Sequence, residues 1–203
     1  MLNCGMRYLF LLAFLACSVP KVFESSRVPA TSDPAVIKMS MTDTEGNSGH
    51  CTAWKVGANL VATAGHCCEV GNVYGAIGSH AVKASVFTLL VDDDEHDVCI
   101  LRGVIAGNVI NLATTSPGIG EVVWTAGYPR GSFLISDGYW SGNDENGGIC
   151  SVNVNPGASG SPVMNMRGEA VGILVRYMPG MDNLAYVTTL ESVHAAVKLA
   201  LTK

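Results

Sequence analysis

A chain of 203 residues that is 48% hydrophobic and only 14% charged can bury a sizeable core, which excludes a disordered segment and allows one domain or two small packed lobes. Its formal net charge is −5 and it holds no basic run. It therefore has no means of neutralising a row of phosphates, and nucleic acid is excluded as a partner.

The first 18 residues read as an export signal. Arg7 supplies the positive start, and "YLFLLAFLAC" supplies an apolar core too short to cross a bilayer. The small residues of Ala16-Cys17-Ser18 fit cleavage after Ser18, while Leu15-Ala16-Cys17 resembles a degenerate lipoprotein box that would leave Cys17 lipidated. The expected location is secreted or periplasmic, with a lipid anchor as the alternative. A lipidated Cys17 or an uncleaved signal is the sole expected route to a membrane.

Residues 19–34 form a lead-in, and residues 35–103 then carry six strand-like runs. These are "AVIKMSMT", "CTAWKV", "NLVATA", "NVYGAIG", "AVKASVFTLLV" and "VCILRG", each β-branched or apolar and bounded by Gly, Asn, Asp or His. Residues 104–118 read as a linker, with a turn signal at Pro117-Gly118. Residues 119–203 repeat the pattern in "EVVWTAGYP", "FLISDGYWSG", "ICSVNV", "SPVMNM", "EAVGILVRY" and "LAYVTT". The chain closes with "LESVHAAVKLALTK", where Leu190, Val193, Val197 and Leu201 fall at helical spacing. The predicted fold is all-β: two packed six-stranded antiparallel β-barrels with a C-terminal α-helix.

Three short stretches carry chemistry. "VATAGHCC" sets His66 among small residues directly after an apolar run, where it could be filler, a metal ligand or a catalytic base. "EHDVCIL" puts Asp97 flush with a strand that can carry it inward as an orienting carboxylate, whereas Asp92, Asp93, Asp94 and Glu95 read as a solvated loop, with calcium as the competing use. "NPGASGSPVMN" holds Ser159 on a tight turn that exposes Oγ and lets the N–H groups of Gly157 and Ser159 converge as an oxyanion site. Alone, that last stretch would read equally well as a Gly-rich hairpin. Beyond the signal lie five cysteines, Cys51, Cys67, Cys68, Cys99 and Cys150. Export permits disulfides, and the odd count leaves at least one thiol without an intrachain partner. With no C-x2-C or H-x3-H pair, neither a metal nor any other cofactor is expected.

In that chain order, "ATAGHCC", "HDVCIL" and "NPGASGSPV" resemble the three signature blocks of the chymotrypsin-like serine peptidases. The resemblance extends through most of residues 35–203. It implies a peptidase with Ser159 as nucleophile, His66 as general base and then acid, and Asp97 orienting the imidazole, acting on protein or peptide substrates. It also implies a Cys51–Cys67 disulfide bracing the histidine, and favours a second between Cys68 and Cys99. In motif shape the chain is closest to the small bacterial-type branch, the glutamyl endopeptidases and high-temperature-requirement proteases. In the digestive enzymes an aspartate precedes the nucleophile and pairs with a newly cut N-terminus; here that residue is Ala158.

By the same comparison, Asn153 and Val154 would lie near the base of the primary pocket, with Val175, Arg176 and Tyr177 along its edge. Asp182 would reach that pocket or belong to a solvated loop. Leu174 stands where glutamyl endopeptidases carry a histidine, so a preference for Glu is not implied. The alternative function is a non-catalytic relative that keeps the barrels as a protein-binding module; the three filled blocks favour catalysis.

Overall fold

The computed structural model describes residues 35–43, 45–68, 73–77, 87–181 and 183–203. The export signal, the lead-in and Asp182 lie outside them. The first six strands are β1 Val36–Thr42, β2 Ser48–Gly57, β3 Leu60–Ala64, β4 Val73–Ile77, β5 Thr88–Asp93 and β6 Val98–Arg102. They form one antiparallel sheet in the order β4-β1-β2-β3-β6-β5. The second six are β7 Val122–Gly127, β8 Leu134–Asp144, β9 Gly147–Cys150, β10 Pro162–Met164, β11 Ala170–Tyr177 and β12 Ala185–Val187. These close into a barrel in the order β10-β11-β12-β9-β8-β7. The strand spacing predicts two six-stranded antiparallel barrels and a terminal helix; the structure has two six-stranded antiparallel sheets, of which the second is a closed barrel, and the helix.

The most apolar runs become the most enclosed strands. Every residue of β3 is buried, as are the first six of β11 and the first four of β6. The larger core cluster spans both sheets, joining Ile37, Met39, Trp54 and Ile100 of the first to Trp124 and Ile173 of the second. Each such side chain withdrawn from water contributes about 1.5–3 kcal/mol. Between the sheets the chain crosses in irregular structure that is nonetheless tied at both ends: Ile110 N–H donates to Lys55 C=O, and Ala113 N–H donates to Ala170 C=O.

Helix α1, Leu190–Ala200, starts at Thr189, whose hydroxyl accepts from the Ser192 amide and so satisfies one of the free donors of the first turn. It packs back on β5 and β6 of the first sheet. Its buried face is Leu190, Val193, Ala196 and Ala200, while Leu201 is 71% exposed. The helical stripe expected to end at Leu201 therefore shifts to Ala200, because the last apolar residue falls beyond the helix and outside its packed face.

Two disulfides tie the first sheet together, Cys51–Cys67 and Cys68–Cys99. Closing loops with sequence separations of 16 and 31 residues removes on the order of 3 to 4 kcal/mol of unfolded-state entropy each. Cys150 is a free thiol, fully buried, and burial pushes its pKa up to about 12 despite a hydrogen bond from the Val152 main chain. Since the thiolate is the reactive form, Cys150 should resist iodoacetamide in the folded protein and react on denaturation. Peptide mapping without reduction should recover the two bridges, and rapid alkylation of native Cys150 would contradict this packing.

Candidate active site

Sheet register brings the histidine and the aspartate together. Along β3 and β6 the pairs are Thr63 with Cys99 and Ala64 with Val98. The residues just past those ends, Gly65-His66 on one side and Asp97 on the other, therefore leave the sheet at the same corner. His66 sits in a short 3-10 turn, Gly65–Cys67, and Cys67 within it and Cys68 directly after it each enter a disulfide. Asp97 adopts φ +55°, a left-handed conformation that aspartate tolerates better than most residues. A methyl group on Gly65 would press on the Asp97 main chain at 3.0 Å, so the histidine turn needs a glycine to approach so closely.

The resulting pair is tightly made. His66 Nδ1 lies 3.0 Å from each Asp97 carboxylate oxygen, and the His66 main-chain N–H donates to Asp97 Oδ1 at 2.8 Å. Burial pushes the Asp97 pKa up. The hydrogen bonds from the His66 ring and amide, with the charges of His66 and Arg176, outweigh it and hold the carboxyl below its ordinary value. Three potential ligand atoms of Cys51, His66 and Cys67 lie within 4.8 Å of one another, but both sulfurs are committed to the Cys51–Cys67 bond.

Ser159 comes from the second barrel, on the turn between β9 and β10. A cleft of about 400 Å³ is lined by His66, Asp97 and Ser159 together with Val154, Asn155 and Pro156, and closed by Val175, Arg176 and Tyr177. The Ser159 hydroxyl donates to Val175 C=O at 2.8 Å, so its partner in this structure is the cleft wall and not the imidazole. Of the residues expected in the pocket, Val154, Val175, Arg176 and Tyr177 line it. Asn153 does not; its N–H donates to Ser136 Oγ at 3.2 Å and its side chain is exposed. The neighbours Asn155 and Pro156 line the cleft. A neighbouring cavity of about 380 Å³ shares His66, Asp97 and Arg176 and adds the carboxylates of Asp94, Glu95 and Glu145. The Arg176 guanidinium stands 5.0 Å over the Tyr186 ring, a cation–π contact that orients it along the wall.

The turn that carries Ser159 is held peptide by peptide. Pro156 C=O accepts from Arg130 N–H at 2.7 Å, and Ala158 C=O accepts from Ser161 N–H at 3.0 Å and from Ser161 Oγ at 2.6 Å. In a trans peptide the N–H points opposite to its C=O. Those two bonds consequently turn the N–H groups of Gly157 and Ser159 away from Arg130 and Ser161. Among the described residues neither amide has an acceptor. Gly157 has φ +93° and Gly160 φ +87°. A Cβ on Gly157 would collide with the His50 ring, and one on Gly160 with Thr52 C=O. Thr52, Arg130 and Ser161 were not marked by the sequence; the one available signal was a polar Thr52 inside the apolar run of β2.

The family follows from this geometry and from sequence together. Residues 51–173 match the trypsin-like peptidase domain, and the chain belongs to that family. No curated protein matches it at the sequence level. Among solved structures, the active form of the Rv3671c protease from M. tuberculosis superposes with a TM-score of 0.74 at 19% identity, over 84% of this chain and 82% of that one. A serine endoprotease from Yersinia pestis gives 0.70 at 18% identity, over 84% and 64%. The HtrA-type protease AlgW gives 0.66 at 17%, over 81% and 59%. At such identities the likeness is one of fold.

Asn tolerates the left-handed backbone as well as Asp, so Asp97→Asn should fold. In a Ser-His-Asp triad the same change costs on the order of 10⁴-fold in kcat, because the amide no longer fixes the imidazole tautomer. The same variant tests the electrostatics. A carboxyl with a depressed folded-state pKa stabilises the fold above its unfolded pKa of about 3.9 and loses that contribution as pH falls through the lower folded value. Denaturant titrations below pH about 4 should therefore show wild-type stability falling more steeply than that of Asp97→Asn; parallel curves would contradict the depressed pKa.

Proposed function

We propose that the protein is an exported serine endopeptidase that cleaves peptide bonds through an acyl-enzyme. The observation that carries this reading is the His66–Asp97 pair, made through both carboxylate oxygens, facing Ser159 across one cleft. For the reaction the Ser159 hydroxyl must give up Val175 C=O and turn to His66, a change between staggered χ1 wells. His66 Nε2 removes the proton as Oγ attacks the carbonyl carbon, and Asp97 stabilises the imidazolium. The N–H groups of Gly157 and Ser159 receive the developing oxyanion. Collapse releases the amine, which takes the proton from His66, and water then hydrolyses the acyl-enzyme by the same steps in reverse roles. Export is supported by the apolar segment behind Arg7 and by two disulfides that persist in an oxidising compartment.

A fluorophosphonate should add once, on Ser159, by intact mass and peptide mapping, and Ser159→Ala should lose at least a thousandfold in casein hydrolysis while keeping the wild-type melting temperature within a few degrees. A protein that takes no adduct and cuts no casein would instead serve as a binding module.

The wall of the cleft also bears on the substrate. Val154, Pro156 and Val175 present aliphatic surface next to Ser159, and Arg176 is the charged side chain beyond the catalytic pair among the described lining residues. Aliphatic side chains should therefore be preferred at the residue preceding the scissile bond, and Lys or Arg disfavoured. Fluorogenic peptides differing only at that residue should show Val or Leu cut at least tenfold faster than Lys; the opposite order would contradict this use of the cleft.

A further inference from the structure

We infer that Thr52 is a positioning residue for the oxyanion donors, reaching from the first sheet to fix the nucleophile turn of the second. This rests on the reading of Ser159 as nucleophile and of the Gly157 and Ser159 amides as oxyanion donors. Four successive peptides run from Pro156 to Gly160, and Thr52 holds two of them. Its hydroxyl donates to Gly157 C=O at 2.8 Å, in the peptide that lies between the two donors. Its amide donates to Ser159 C=O at 2.8 Å, in the peptide that follows them.

Thr52 cannot readily adapt. It is fully buried, and its hydroxyl is used twice, because it also accepts from Tyr128 N–H at 2.9 Å. Its own carbonyl accepts from Thr63 Oγ1 at 2.8 Å. The Gly157–Ala158 peptide is held at its other end as well, since Ala158 N–H donates to Asn155 C=O at 2.9 Å. Gly157 lies at φ +93° with the His50 ring packed against it. A glycine has the freedom to turn its two flanking peptides, and turning the Gly157–Ala158 peptide would shift the Gly157 N–H relative to the Ser159 N–H, so that the two no longer converge on one developing negative charge. The Thr52 hydroxyl opposes that turn, and it does so from the same strand whose preceding residue, Cys51, braces His66.

The test compares Thr52→Val, which keeps the shape and removes the hydroxyl, with Thr52→Ser, which keeps the hydroxyl. Turnover of fluorescein-labelled casein and the rate of fluorophosphonate addition are read at a temperature where circular dichroism shows each variant folded. Thr52→Val should lower kcat by about 10- to 100-fold, with KM within about threefold, and slow phosphonylation in parallel. Thr52→Ser should stay within about threefold of wild type on both. A valine variant as active as wild type, or a serine variant as impaired as valine, would overturn the inference. An inactive, unlabelled wild type would instead overturn the reading of Ser159. If Thr52→Val does not fold, wild-type hydrogen exchange decides. The amides of Thr52 and Tyr128 should exchange as slowly as those of β3, and exchange at exposed-loop rates would overturn the inference.

Discussion

His66 and Ser159 belong to different sheets, so the site exists only as far as one sheet is registered on the other. That registration runs through two adjacent residues of β2. Cys51 is bonded to Cys67 and fixes the histidine turn, and Thr52 is hydrogen-bonded to Gly157 and Ser159 and fixes the serine turn. Side chains alternate across a strand, so neighbouring residues naturally reach in opposite directions. Here one reaches back into its own sheet and the next reaches over to the barrel. A slip of β2 by one residue against β3 would exchange these faces and lose both attachments at once.

The same corner concentrates charge and strain. Asp97 is carried inward by the buried strand β6, and its carboxylate faces partial desolvation that His66 offsets by ring and main chain together. The left-handed backbone at Asp97 and the close approach of Gly65 are the conformational cost of bringing two strand ends so near. Such strain persists only where the surroundings fix it. The two disulfides do this: Cys67 and Cys68 follow His66 directly, and Cys99 follows Asp97 by two residues.

What the sequence made legible was local. All twelve strands and the helix could be read from runs and spacing, because β-branched runs between turn residues and a 3.6-residue stripe are properties of contiguous segments. His66, Asp97 and Ser159 could be marked as candidates because the three blocks occur together and in the order of one family; the serine block alone would read equally well as a Gly-rich hairpin. The contacts that orient the serine turn were not legible. Arg130 N–H on Pro156 C=O and Thr52 on Gly157 C=O are bonds to main-chain atoms across 26 and 105 residues of chain, and main-chain acceptors leave no mark in side-chain identity. At Asn153 too the contact is made by the main chain: its N–H donates to Ser136 Oγ on β8, while Asn155 and Pro156 line the cleft.

Ala158 departs from the pattern of the digestive enzymes, which carry an aspartate there. Its side chain is buried in the second core cluster, among Val123, Trp140, Val163 and Leu174. An aspartate there would need a cation brought into that apolar cluster, and an unpaired buried charge costs several kcal/mol. With alanine the position contributes packing, and the orientation of the turn falls to groups already in place. Arg130 N–H fixes Pro156 C=O, Ser161 N–H and Oγ fix Ala158 C=O, and Thr52 fixes both Gly157 C=O and Ser159 C=O, and all three residues lie within the two sheets or their connections. In the proposed reading, the N–H groups of Gly157 and Ser159 take their orientation from these bonds within the two sheets.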